Sequence, residues 1–326
     1  MVLILSPVLM RILERESYEK EAIFVGYLGY SWMAFIFLFF SSSVIFDLSI
    51  VVFGILQKRR IFSIPRLEFL VPLFFSLVLV IYGFFEAKEV KIERLVLKTE
   101  KLPKDTISVR IVQISDLHLG IMTKDRDLEE CLKKINHLKP DILVATGDIV
   151  DGHPDKINRF VESFLSIKPT YGKFAVTGNH EYYIGLDGAK VFFEKAGFKL
   201  LANESERIRN GISIVGIDDL YSSAGLERAL LENLNPNDFK ILIKHRPIVI
   251  EDCVGLFDIQ LSGHTHGGQI FPFSLITRAF FKHISGHKIL GRGSHLYVSR
   301  GLGTWGPPIR FLAPPEITVI DLEKTS

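Results

Sequence analysis

Cysteine is nearly absent: Cys131 and Cys253 are the only 2 in 326 residues, without CxxC spacing, which excludes a disulfide framework. Both read as core residues, and they leave the redox compartment open. An excess of one charge is missing too, since 39 Lys and Arg against 37 Asp and Glu leave a formal net charge of +2. A nucleic-acid partner normally shows as a basic excess concentrated on one face, so none is expected. No basic groove with stacking aromatics stands out, which also weighs against a nuclease. Internal repeats and low-complexity tracts are likewise missing.

Apolar residues are abundant instead. The chain carries 26 phenylalanines and has a positive mean hydropathy, more than one soluble domain usually needs. The excess is concentrated near the N-terminus, where Ala22 to Leu56 (AIFVGYLGYSWMAFIFLFFSSSVIFDLSIVVFGIL) has Asp47 as its only charge. As a helix this stretch of roughly 35 residues reaches about 50 Å, against about 30 Å of hydrocarbon. A first span is therefore expected at about 22–46, followed by a turn or interfacial stretch after Asp47, because a mid-bilayer carboxylate costs several kcal/mol. A second span, LEFLVPLFFSLVLVIYGFF, is expected at 67–85. Together they make 1–86 a transmembrane helical region and the chain a multi-pass membrane protein. The opening MVLILSPVLM is too short to cross. It reads as the stub of a further span if the chain starts upstream, which N-terminal sequencing of the native protein would decide. No small-residue cleavage site comes after the early apolar run, so no cleavable signal peptide is expected.

Sidedness stays open. Lys58, Arg59, Arg60 and Arg66 between the spans favour a cytoplasmic loop, whereas Arg11, Arg15 and Lys20 before them and Lys88, Lys91 and Arg94 after them pull the other way.

After Glu86 the pattern changes to short apolar runs alternating with helical periodicity, the signature of an α/β domain. A linker is expected over 87–106 and the domain over 107–326. Buried strands are expected at SVRIVQI (108–114), DILVAT (141–146), KFAVT (173–177), ISIVGI (212–217), FKILIK (239–244) and FDIQLS (257–262). Between them, DRDLEECLKKINHL places Leu128, Leu132, Ile135 and Leu138 on one helical face.

The residues with chemistry to offer cluster just past these strands. SDLHLG, GDIVDG, GNHEYY, KHRP and SGHTHGG each begin where an apolar run stops. Ligand sites in α/β sheets gather beyond the carboxyl ends of the strands, so these loops are expected to converge. One Asp-x-His is common by chance, but five such fragments, each with Asp, Asn or His at a strand end, are not.

In order, the fragments resemble the D-x-H, G-D, G-N-H-[ED], H and G-H-x-H blocks of the calcineurin-like metallophosphoesterase superfamily. The GHTHGGQ form, the closing YVSRGLGTWGPPIR and the N-terminal spans are more similar to its membrane-attached bacterial phosphodiesterase branch. The resemblance implies a four-layer αββα sandwich, a two-metal centre on its loops and a place in the bacterial inner membrane. It implies that Asp116, His118, Asp148 and His266 hold one metal, and that Asp148, Asn179, His245 and His264 hold the other, with Asp148 bridging. It also implies His180, partnered by Asp151, as the group that protonates the leaving group or steadies the phosphoryl oxygens. Side chains two apart on an extended chain point the same way, which would aim Asp116 with His118 and His264 with His266. Mixed oxygen and nitrogen ligands suit Mn²⁺, Fe or Zn²⁺ better than Ca²⁺, with Mn²⁺ expected first. Two ions about 3.5–4 Å apart can share a hydroxide with pKa near 7 and clamp an in-line displacement at phosphorus.

One departure bears on substrate. Protein phosphatases of the superfamily carry Arg after the residue matching Asp151, whereas this chain has Gly152, so the guanidinium fork for a phosphate monoester is missing. The run after the GHTH loop, IFPFSLITRAFFKHISGHKIL, interleaves aromatic and basic residues that either meet a bilayer interface or acyl chain or pack on the sandwich. Arg292, Arg300 and Arg310 are further candidates for phosphate contact. The expected function is a membrane-anchored dinuclear phosphodiesterase or pyrophosphatase acting on an amphiphilic or lipid-linked phosphoester. The alternatives are hydrolysis of UDP-2,3-diacylglucosamine, as some superfamily members perform in lipid A synthesis, and a non-catalytic scaffold, which should purify without stoichiometric metal.

Overall fold

The structure is a computed structural model that describes residues 2–58, 64–103, 105–208, 211–220 and 223–325. Arg59 and Arg60, two of the cations between the spans, lie outside the described residues. The chain divides into two compact units, Met1–Glu89 with Trp305–Leu312 and Val90–Thr304 with Ala313–Ser326.

The first unit is helical: α1 (Ser6–Arg15), α2 (Glu19–Gln57) and α3 (Pro65–Glu86). The opening apolar residues form a short 3-10 turn, Val2–Leu5, and then α1, whose Ser6 and Met10 are buried. A Cβ on Gly29 of α2 would lie 1.7 Å from Ser6 Oγ, so this glycine is what lets the two helices meet. The turn expected after Asp47 does not form: α2 runs unbroken for 39 residues. A single Asp lowers helix propensity by well under about 1 kcal/mol, and the residues after it contain no proline to stop the ladder. The helix ends only at Lys58, in the left-handed conformation at φ 50°. At about 1.5 Å per residue α2 is about 58 Å long, well beyond the hydrocarbon thickness. Large apolar side chains point outward along both helices, among them Phe24, Phe40, Phe53 and Leu56 on α2 and Phe74 and Phe85 on α3. Apolar residues all round a helix mark one buried in protein or in lipid. These are the two described helices long and apolar enough to cross a membrane, which points to membrane association. Trp305–Leu312 completes this unit: Arg310 N–H donates to Gly83 O (3.0 Å), Leu312 N–H donates to the Glu86 carboxylate (3.1 Å), and the Arg310 side chain is fully buried.

The second unit holds twelve described strands: β1 (Lys91–Thr99), β2 (Ser108–Ile114), β3 (Ile142–Thr146), β4 (Lys173–Val176), β5 (Lys199–Leu200), β6 (Glu204–Ile208), β7 (Ile212–Ile217), β8 (Phe239–Lys244), β9 (Ile259–Ser262), β10 (Gly286–Gly291), β11 (Ser294–Val298) and β12 (Glu316–Lys324). They form two six-stranded mixed sheets, ordered β1-β12-β2-β3-β4-β5 and β10-β11-β9-β8-β7-β6. The expected linker therefore contains a strand: β1 pairs in parallel with β12, Lys91 opposite Glu316.

Strand β2 shows why both faces had to be apolar. Val109 and Ile111 pack with Ile214, Ile241 and Ile259 of the other sheet, while Val112 and Ile114 pack outward on Leu128, Leu132 and Ile135 of the Asp125–His137 helix and on Phe192 and Phe193. The far side of the second sheet is covered by Leu231, Cys253 and Phe257 against Val215 and Leu242. Helix, sheet, sheet and helix make the four layers of an α/β sandwich. Burial pushes the Cys131 and Cys253 thiols up to about 11, as fits packing residues.

Candidate metal centre

The loops after β2, β3, β4, β8 and β9 carry Asp116 and His118, Asp148 and Asp151, Asn179 and His180, His245, and His264 and His266. All five come after the carboxyl ends of strands that run in parallel within their sheets. Three groups of side chains come together there: Asp116 with His118 and His266, His118 with Asp151 and His180, and Asp148 with His245 and His264, each group offering ligand atoms within 4.8 Å of one another.

In the first group His118 Nε2 is 3.0 Å from His266 Nε2, which is 3.6 Å from Asp116 Oδ1. In the second, His180 Nδ1 lies 3.0 Å from Asp151 Oδ1 and His118 Nδ1 lies 3.6 Å from Asp151 Oδ2. In the third, His245 Nε2 is 3.0 Å from both Asp148 Oδ2 and His264 Nδ1. The Thr146 carbonyl, 2.9 Å from His245 Nδ1, can only accept, so Nδ1 carries a proton and aims Nε2 at Asp148.

The backbone route to this convergence differs from the extended one expected. Asp116, His118, Asp148, His264 and His266 all sit in the left-handed region, at φ 52, 49, 51, 72 and 50°. Such a residue costs roughly 1 kcal/mol or more and persists only where the surroundings over-determine it, as at functional sites. His264 and His266 consequently serve different groups instead of pointing together. Close approach needs glycine at two points. A Cβ on Gly178 would lie 2.2 Å from Asp148 Oδ1, and one on Gly263 would lie 2.3 Å from Asp116 Oδ2.

Electrostatics shows what the cluster asks for. Burial raises the Asp116 carboxyl above its ordinary value, with His245 opposing and Asp148 adding to the rise. Burial also acts against ionisation of Asp148 and Asp151, but the facing imidazoles outweigh it and hold both carboxyls low. Burial opposes a charge on His245, yet Asp148 lifts its imidazole to about 10. Burial and the neighbouring His245 push His264 down to about 3, leaving its ring nitrogen free of a second proton near neutrality. Burial lowers His180, and Asp151 and Asp148 more than offset it, so its pKa is raised. A cation would take the place of these protons, and metal binding would release them. The residues fit that role in a further way: Asn179 Oδ1 is buried and has no hydrogen-bond partner among the described residues.

Sequence reasoning missed two features. Glu181 is fully buried, and its carboxylate accepts N–H bonds from Gly178 (2.7 Å), Asp148 (2.9 Å), Ile149 (2.8 Å) and Val150 (3.1 Å), tying the β3 and β4 loops together. Burial first and Asp148 second push this carboxyl up to about 7. Its one signal was its place directly after Asn179 and His180. Arg246, next to His245, puts Nη2 3.0 Å from Asp219 Oδ2, and nothing in KHRP distinguished this from a solvated charge. Of the three arginines expected as candidates for phosphate contact, Arg300 is held at 2.6 Å by both Glu93 and Glu316, Arg292 Nη1 donates to Val254 O (3.4 Å), and Arg310 is grouped with the helical unit.

Residues 109–268, from β2 to the turn after His266, match the calcineurin-like phosphoesterase family. The chain is 38% identical over 258 residues, 77% of its own length and 98% of its relative's, to an uncharacterized metallophosphoesterase of Aquifex aeolicus. It belongs to the calcineurin-like phosphoesterase family. An uncharacterized metallophosphoesterase of Bacillus subtilis is 34% identical, over 71% of this chain and 84% of that one. A Danio rerio transmembrane protein with metallophosphoesterase domain is 29% identical, over 77% of this chain and 62% of that one. Calcineurin-like phosphoesterases are metal-dependent hydrolases that typically bind two divalent ions, and the three side-chain groups are candidate ligand sets for them.

Proposed function

We propose that this chain is a multi-pass membrane-anchored phosphodiesterase or pyrophosphatase that uses two divalent ions, Mn²⁺ foremost, on an amphiphilic phosphoester. The convergence of the five strand-end loops carries the reading. Asp116, His118, His266 and Asp148 would hold one ion, and Asp148, Asn179, His245 and His264 the other. When bound, such ions supply a water nucleophile at neutral pH and charge that steadies the phosphoryl oxygens.

The chain's own residues supply the rest. Asp151 faces His180 Nδ1 at 3.0 Å, which orients the ring and holds a proton on it, leaving Nε2 to donate to the departing oxygen. Glu181 holds the Asp148 backbone, so the carboxylate expected to bridge is fixed from behind. Preference for a diester or diphosphate is supported by Gly152, where a Cβ would lie 2.8 Å from Gly120 Cα. That contact closes the position to the arginine used for monoesters. The outward apolar faces of α2 and α3 support anchoring in lipid.

The test is Mn²⁺-dependent hydrolysis of bis(p-nitrophenyl) phosphate by the detergent-purified protein, alongside metal analysis, with Asp148→Asn as the blank. Two equivalents of metal and turnover absent from the blank are expected. Metal-free protein without activity would instead support the scaffold reading.

A further inference from the structure

The aromatic and basic run after the GHTH loop is neither a plain loop nor core. Phe273–Phe280 forms a helix, and one side of it is fixed to the candidate centre. A Cβ on Gly268 would lie 2.3 Å from Ser274 Cα, Thr277 is buried, and the Phe281 ring meets the His264 ring edge-on at 5.1 Å. Thr265 Oγ donates to Ile284 O at 2.6 Å, so the end of the run is pinned to the same loop.

The other side is exposed among the described residues. Phe273, Leu275, Ile276 and Phe280 are 44, 61, 49 and 79% exposed. Arg278, Lys282 and Lys288 are placed beside them, and no acidic residue occurs anywhere in Ile270–Leu290. Large apolar side chains crowded on eight residues and flanked in sequence by cations without an acidic residue match one surface in particular. Apolar groups enter the acyl boundary while Lys and Arg stay at the level of anionic headgroups. A soluble protein partner would explain the apolar side chains but not the uniform charge. Only Ala87–Val90 separates α3, which is proposed above to lie in lipid, from β1, about 14 Å when fully extended, so the sandwich is tethered by a short stretch of chain.

We propose that the Phe273–Phe280 helix, with Arg278, Lys282 and Lys288, docks on an anionic bilayer interface and holds the candidate metal centre at the level of lipid headgroup phosphoesters. The docking stands on exposure and charge, while its use in catalysis rests on the phosphoesterase reading.

The full-length chain with Cys131→Ala and Cys253→Ala is reconstituted in vesicles of phosphatidylcholine and phosphatidylglycerol. An environment-sensitive fluorophore is attached at Phe280→Cys or, as reference, at Leu226→Cys on the Ala224–Glu232 helix. At position 280 a blue-shifted emission is expected, quenched by spin-labelled lipid and shielded from aqueous iodide, while position 226 stays accessible to iodide. Iodide access at 280 equal to that at 226 overturns the proposal. So does a label that is shielded from iodide yet blind to the lipid quencher, which would indicate a second copy or another protein. In the second arm, Leu275→Asp with Phe280→Asp should lower the ratio of vesicle-borne to soluble phosphodiester turnover by about tenfold. An unchanged ratio overturns the catalytic use of docking. If the parent protein hydrolyses neither substrate, the phosphoesterase reading falls, and the fluorophore still decides the docking.

Discussion

The helical unit and the loops around Asp148 break the same rule in opposite directions. Along α2 and α3, phenylalanines and leucines face outward, whereas around Asp148 carboxylates and imidazoles are taken out of water. Apolar surface on that scale is stable where lipid or another apolar surface covers it, and carboxylates buried that close together are stable beside cations. Neither region is balanced by water alone. Each region can be challenged by residues that leave the other intact.

The largest effect is expected from Asp148→Asn, which replaces the carboxylate nearest to His245. Activity should vanish and at least one metal should be lost on elemental analysis; retention of both would remove Asp148 as the bridge. Next, His180→Ala should keep the metals and lose roughly 10²- to 10⁴-fold in kcat, the range of general acid catalysis. Loss of metal alongside rate would make His180 a ligand instead. On the lipid side, Phe40→Asp places a charge on an exposed position of α2 and should disfavour insertion by about 3 kcal/mol. Undiminished recovery in the carbonate-washed membrane fraction would break that half of the comparison. The smallest effect belongs to a site in neither region. Ser223 Oγ accepts Leu226 N–H at 3.2 Å and caps the Ala224–Glu232 helix. Ser223→Ala should cost about 1 kcal/mol in unfolding while kcat stays level.

The site was legible because its chemistry is local: each of the five fragments shows its Asp, Asn or His within a few residues of an apolar run. The central strands were legible for a related reason, since burial on both faces leaves a run such as ILVAT unmistakable. The missed strand β1 lacks that mark. In β1, KIERLVLKT, charges alternate with apolar residues at the edge of a sheet, and the partner β12 lies more than 200 residues away, a pairing no short window reveals. The continuation of α2 past Asp47 was missed because a carboxylate was weighed against lipid, while the helix continues on its own hydrogen bonds. The left-handed residues were missed because spacing alone says which side chains can meet and not what backbone brings them there.

Strand β12 has a consequence for the order of events during synthesis. It lies between β1 and β2, in parallel with one and antiparallel to the other, yet it comes after every other described strand in the chain. At about 5–20 residues per second, the roughly 200 residues after β2 take some 10–40 s to emerge. Throughout that interval the facing edges of β1 and β2 have no partner, while α2 and α3 have long since left the ribosome. The helices would therefore be complete before the first sheet closes, and a ribosome stalled before Glu316 would hold a chain with two open strand edges.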